Sequence, residues 1–151
     1  MLSIPRDIYN ALISHAWRDF PLEACGILGG NDGIVTVHYP MTNTDRSNEH
    51  FTMDPKEQFA VVKDLRSKGQ AMIAIYHSHP ETPARPSEED IRLAHTPDVS
   101  YVIISLANEE PVLRSFRITD GVVAEEQVEV VEQVVENQPS RRRPRKPPRA
   151  T

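Results

Sequence analysis

Six apolar residues, Ala71-Met72-Ile73-Ala74-Ile75-Tyr76, run directly into His77-Ser78-His79-Pro80. Read as an extended strand, this stretch alternates its side chains across the two faces. His77 and His79 then share one face and converge on one point, while Ser78 faces the other way. Asp90, further along, could supply an oxygen to the same point. Two imidazoles and one carboxylate leave one position of a tetrahedral zinc open to water, the geometry of a catalytic site. An apolar strand carrying such a pair needs helices packed on its sheet, and the surrounding chain supplies them.

Ile4, Ile8, Leu12, Ala16 and Phe20 recur at four-residue spacing, which predicts an amphipathic helix over 4–20 with Pro5 in its first turn. Ala24-Cys25-Gly26-Ile27-Leu28 reads as a short buried strand closed by Gly29-Gly30. Asn31-Asp32-Gly33 is hairpin chemistry, with the β-prone Ile34–Tyr39 on its far side. Residues 41–53 are polar and aperiodic and read as a loop, with a short strand at Phe51-Thr52-Met53. A second helix opens on Asp54 as N-cap, Pro55 at the first position and Glu57 at capping-box spacing. Its apolar face is Phe59, Val61, Val62 and Leu65, and Gly69 ends it.

Three prolines make 80–86 an irregular loop, and Ser87 to His95 reads as a third helix. Tyr101–Leu106 is a buried strand. Val112–Thr119 alternates like a half-exposed one, Asp120-Gly121 turns it, and Val122–Val131 returns. Residues 128–136 suit strand or helix equally. The total is an α/β domain, a mixed central sheet flanked by helices, expected over 1–137.

Composition narrows the function classes. The chain has 151 residues, and no apolar run approaches the ~20 needed to cross a bilayer. Its start has no basic segment leading into an apolar one, so no secretory signal is expected. Cys25 is the only cysteine, which excludes an intrachain disulfide and any cysteine-based zinc cluster, and points to the cytoplasm. From Gln138 the chain carries Arg141, Arg142, Arg143, Arg145, Lys146 and Arg149 with no acid. The remaining eleven basic residues stand against all 22 acids. An acidic body thus carries a basic, proline-rich tail over 138–151, which is expected to be disordered. Such a tail can bind phosphates, yet the acidic body would repel a polyanion, so nucleic acid is not the expected partner.

The histidines and acids also have ordinary readings. His15, His38, His50 and His95 read as surface or satisfied core residues. Ser87-Glu88-Glu89-Asp90 fits a capping box, with Ser87 as N-cap and Asp90 at the third helical position. The two readings of Asp90 are compatible, because a helix start is a rigid place from which to aim a carboxylate. A water on the metal needs a general base. Glu23, at the start of an otherwise apolar strand, is the candidate; its ordinary reading is a solvated strand-end acid. Cys25 reads as a small buried filler.

Glu23, His77-Ser78-His79-Pro80, a six-residue spacer and Ser87-Glu88-Glu89-Asp90 together resemble the JAMM (MPN+) family of zinc metalloproteases. Glu23-Ala24-Cys25-Gly26-Ile27-Leu28-Gly29-Gly30 is similar to the E-x-C-G-x-L-x-G strand of its small prokaryotic members. The similarity covers about residues 1–130. It implies a cytidine-deaminase-like α/β fold, with His77, His79 and Asp90 on zinc. Glu23 would shuttle the proton and Ser87 would bond the oxyanion, while Ser78 would support the loop. It implies cleavage after the C-terminal Gly-Gly of a ubiquitin-like protein. For a small stand-alone chain that is a sulfur carrier, from which cysteine is released or whose C-terminus is trimmed, as in cysteine biosynthesis. Residues 41–53 are the candidate groove wall. A deubiquitinase-like isopeptidase, a metal-free MPN scaffold and a RadC-like nucleic-acid-associated protein are the alternatives.

Overall fold

The computed structural model describes residues 1–132, so the tail expected to be disordered lies outside the described residues. In chain order the elements are β1 (Leu2–Pro5), α1 (Arg6–Asp19), β2 (Cys25–Asn31), β3 (Ile34–Met41), α2 (Pro55–Ser67) and β4 (Ala71–His79). There follow α3 (Glu88–Arg92), β5 (Ser100–Ser105), β6 (Val112–Thr119), β7 (Val122–Glu126) and β8 (Val128–Val131). All eight strands form one sheet in the order β7-β6-β5-β4-β2-β3-β1-β8. It is mixed as expected: β1 runs parallel to β3 and β8, and β4 parallel to β5. The other neighbours are antiparallel.

Alternation along β4 divides the core. Ala74 and Tyr76 point into a cluster with Leu12 and Ala16 of α1. Ile75 points to the other face, where one cluster includes Tyr101, Ile103 and Phe116. Beside it Val61 and Leu65 of α2 meet Cys25, Ile27 and Met41. Helix α1 thus covers one face and α2 the other, and the histidines of β4 belong to the second.

Several elements differ from the sequence reading. The first helix begins at Arg6, not Ile4. Leu2 and Ile4 are fully buried in an extended segment that pairs with β8, and Pro5 becomes the N-cap. Ile4 suits the helical spacing as well as the strand, and only the pairing partners decide.

Gly29 and Gly30 continue β2 instead of closing it. A Cβ at Gly29 would collide with the Leu65 side chain, and one at Gly26 with the Tyr76 ring and the Tyr39 carbonyl. These glycines let helix and ring sit on the strand. The turn itself is as expected, with positive φ at Asp32 and Gly33.

Asp54 caps α2 by accepting from the Lys56 N–H, but Glu57 does not complete a capping box. Its carboxylate accepts from the Thr42 N–H at 2.7 Å and the Thr42 hydroxyl at 2.9 Å, tying α2 to the loop before it. Val61 and Leu65 face the sheet, whereas Phe59 and Val62 are exposed. The buried stripe is narrower than the periodicity suggested. Phe51–Met53 forms no strand, only a single bridge between Asn43 and Met53. Helix α3 is one short turn ending at Arg92, and 128–131 resolves as strand.

One consequence of the topology is invisible locally. β7 and β8 occupy opposite edges of the sheet, yet only Gln127 separates them in sequence. Their ends therefore lie within about 7 Å of each other, and the sheet must curl until its edges meet. Glu126 pins this corner. Its carboxylate accepts from the Ser100 and Ser115 hydroxyls and faces the Met1 ammonium and Arg117.

Candidate active site

The end of β4 is built as its alternation requires. His77 and His79 lie on the α2 face, 3% and 5% exposed, with His77 in register with Cys25 on one side and Ile103 on the other. Ser78 points to the opposite face, where its Oγ accepts from the Ala24 N–H at 2.8 Å. Ser78 therefore braces the segment carrying Glu23 more than the loop assigned to it from sequence. Past Pro80 the chain turns so that His79 Nδ1 meets the Pro83 carbonyl at 2.8 Å. A carbonyl only accepts, so Nδ1 carries the proton and Nε2 presents its lone pair. The Ser105 hydroxyl donates to the Thr82 carbonyl at 2.6 Å and holds this loop in place.

Helix α3 then aims the carboxylate. Ser87 Oγ accepts from the Asp90 N–H at 3.0 Å, and Asp90 Oδ2 accepts from the Ser87 N–H at 2.9 Å, a complete capping box. The same Oδ2 lies 3.2 Å from His77 Nε2 and 3.1 Å from His79 Nε2, and the two nitrogens are 3.1 Å apart. These are near the edges of a tetrahedral zinc site, about 3.3 Å for ligands at ~2.05 Å. Three such atoms packed this closely need a cation between them, a proton in the metal-free protein or a metal ion in its place. His77, His79 and Asp90 are the group of metal-ligating type that converges among the described residues.

In the metal-free site the two histidines differ in their hold on a proton. Burial pushes the His77 imidazole down, keeping it neutral against the pull of Asp90. Burial also opposes charge on His79, but the Asp90 carboxylate and Pro83 carbonyl outweigh it and raise its pKa. Asp90 is held well below the usual carboxylate range: the hydrogen bonds from both histidines and the Ser87 N–H overcome its burial.

Glu23 precedes β2 and is only 3% exposed. Its Oε1 is a buried side-chain oxygen without a hydrogen-bond partner among the described residues. Burial pushes its carboxyl up to about 8, with His79 pulling it down and Asp90 and Glu89 pushing it up. Expected as a solvated strand-end acid if ordinary, it is a desolvated carboxyl that feels the charges of His79 and Asp90.

Two residues that the sequence reading passed over hold this arrangement. Asn43, buried in the polar stretch 41–53, donates to the carbonyls of Glu23 at 3.1 Å and His50 at 3.0 Å. Its Oδ1 accepts from the N–H groups of Asp45 at 3.1 Å and Thr52 at 3.2 Å. The Glu23 N–H donates in turn to the Ser47 carbonyl at 2.8 Å. Both backbone groups of Glu23 are thus held by the loop. Phe51, from the same loop, stacks on His77 with ring centroids 4.8 Å apart. Neither residue sits in a periodic pattern, so only an asparagine inside a turn-rich segment hinted at a clasp.

None of the remaining histidines joins His77, His79 and Asp90. His15 Nδ1 and His38 Nε2 each lie 2.6 Å from the Tyr76 hydroxyl on the α1 face, and His50 bonds Asp45. Cys25 is fully buried with its thiol pushed up to about 12 by that burial, in keeping with a filler.

The family model of prokaryotic homologs of the JAB domain matches residues 5–119, and so covers the entire site. The chain belongs to this family. It is the JAMM (MPN+) group that the motif resembles, and the chain is accordingly a JAMM-type peptidase. The CysO-cysteine peptidase of Mycobacterium tuberculosis is 44% identical over 136 residues, covering 88% of this chain and 93% of that one. A probable TtuB-protein conjugate cleaving protease of Thermus thermophilus is 32% identical over 122 residues, 80% of this chain and 78% of its own. The solution structure of a Desulfitobacterium hafniense protein, DSY2949, superposes with a TM-score of 0.82 at 46% identity, covering 91% of this chain and 97% of that one.

Proposed function

We propose that this JAMM peptidase is zinc-dependent and hydrolyses the amide bond after the C-terminal Gly-Gly of a ubiquitin-like sulfur-carrier protein, releasing an amino acid such as cysteine or trimming the carrier. The observation that carries the reading is the convergence of His77, His79 and Asp90 next to the unpartnered Glu23 carboxylate oxygen. Zinc held by those three ligands supplies a Lewis acid and brings the pKa of a water to roughly 7. Glu23 takes the proton of the attacking water and returns it to the leaving amine. Burial makes this carboxyl hold a proton more readily than a surface acid, which suits delivery to the leaving amine. Ser87 Oγ already accepts the Asp90 N–H, so its own O–H is free to donate to the developing oxyanion.

The carrier as substrate is supported by the names of two relatives, a CysO-cysteine peptidase and a TtuB-protein conjugate cleaving protease. An extended tail without side chains suits a narrow cleft walled by loop 41–53. The catalytic domain spans 1–137 in this reading. A single buried thiol fits the reducing cytoplasm, and no described helix is long and apolar enough to cross a membrane.

The test is to incubate the protein with carrier–cysteine adducts and with ubiquitin dimers. Cysteine should be released, a chelator should stop its release, and added zinc should restore it. Cleavage of the ubiquitin dimers alone would make the chain a deubiquitinase-like isopeptidase. Cleavage of neither by zinc-loaded protein would favour a scaffold.

A further inference from the structure

The chain passes Glu132 beside a groove that the hydrolysis does not use. Glu132 Oε1 accepts from Arg6 Nε at 3.0 Å, and the Arg6 guanidinium lies 5.6 Å from the centre of the Tyr9 ring. Tyr9 in turn lines a groove of about 380 Å³ along α1. Its walls are Tyr9, Asn10, Ile13 and Ser14 on one side, Glu110 and Pro111 on the other. Tyr9 and Ile13 pack against the core and turn their remaining surface to the groove. Glu110 and its neighbour Glu109 are exposed carboxylates at its rim. Three contacts thus lead in sequence from the last described residue to the groove.

Residues 133–151 continue from this point. From Gln138 they intersperse Pro139, Pro144, Pro147 and Pro148 with the six cations and no acid. The hydrolytic mechanism has no task for them. Proline-rich segments suit grooves lined by aromatic and apolar rings, because their pre-set backbone costs little entropy to hold. The arginines between the prolines need carboxylates at the rim, which Glu110 and Glu109 supply. The reach is sufficient: residues 133–138 span up to about 20 Å, while Arg6 to Ile13 is about 10 Å along the helix. Tethering gives such a segment an effective concentration of roughly millimolar at the groove. Contacts too weak to retain a free peptide are then enough.

We propose that the groove along α1 is the docking site of this chain's own Pro/Arg-rich segment, 138–151. Any outside anion then competes with Glu110 for the same cations. Cys25 is the only cysteine and is fully buried, so Ser140→Cys in the full chain takes a spin label at one place. The amide NMR signals of Asn10, Ile13, Ser14 and Glu110 should broaden, while those of Phe59 and Val62 on α2 should not. Glu110→Lys should abolish the broadening. Salt at about 1 M, where charges act over only ~3 Å, should weaken it. A free peptide of residues 138–151 should displace the segment only at roughly millimolar concentration. Broadening spread evenly over the surface, centred on another face or unchanged by Glu110→Lys overturns the proposal. So does broadening of the same size in isotope-enriched protein without the label when it is mixed with spin-labelled protein, because the segment then sits on a second copy.

Discussion

Glu23 carries much of the chemistry assigned to this site, and its value comes from desolvation. A carboxylate oxygen buried without a hydrogen-bond partner is costly to leave unpaired and therefore unlike a surface acid. Glu23→Gln keeps the shape and removes the proton carrier. It should lower kcat by about 10²–10⁴-fold while the protein still binds one zinc, because no metal ligand has changed. Parallel turnover and metal analysis check this, and loss of zinc along with activity would make Glu23 structural instead. The motif residues were legible in the sequence because the H-x-H spacing and the capping-box spacing are local. The unpartnered state of Glu23 was not, since the groups that bury it come from elsewhere in the chain.

At the scale of elements, loop 41–53 does work that its composition concealed. Its residues read as a polar connection, a candidate groove wall and nothing more. Its centre is Asn43, which clasps the loop and holds the Glu23 carbonyl, while Phe51 stacks on His77. The loop thus links Glu23 to His77. Asn43→Asp retains the accepting oxygen but turns the donating amide into an oxygen facing carbonyls. We expect a loss of about 1–3 kcal/mol in stability and a fall in kcat exceeding the change in KM, at unchanged zinc content. Urea unfolding and steady-state kinetics separate the two effects. An unchanged kcat in a folded variant would show that Glu23 needs no clasp. The displaced start of α1 and the continued β2 have the same origin: Ile4 and the glycines suit two local structures, and pairing with distant strands chose between them.

For the whole molecule, the α1 face contains a chain of groups running from Asp19 through His15 and Tyr76 to His38, on the side of β4 opposite His77 and His79. Burial holds His38 down at about 4 against an ordinary 6.5, and lowers His15 as well. As pH falls below 6.5 the unfolded chain protonates these rings while the folded protein does not. The unfolded state then binds more protons, so stability falls between about pH 6.5 and 4 and levels off below. His38 should contribute on the order of 2 kcal/mol to that loss. Urea titrations of metal-free protein at pH 7 and pH 4.5 measure it, and His38→Gln, which keeps a donor for Tyr76, should flatten the slope. An equal slope in the variant would assign the acid sensitivity to other groups.

By itself the sequence determined the reaction class and the α/β architecture, because both rest on short-range patterns. The strand period brings His77 and His79 to one face, and the helix start places Asp90 at its third position. Only the tertiary structure decided how these pieces are held. Strands far apart in the chain meet across a sheet that curls until β7 and β8 join at Gln127. The same long-range packing buries Glu23 and centres loop 41–53 on Asn43. Such features depend on which distant surfaces exclude water together, and no local spacing records that.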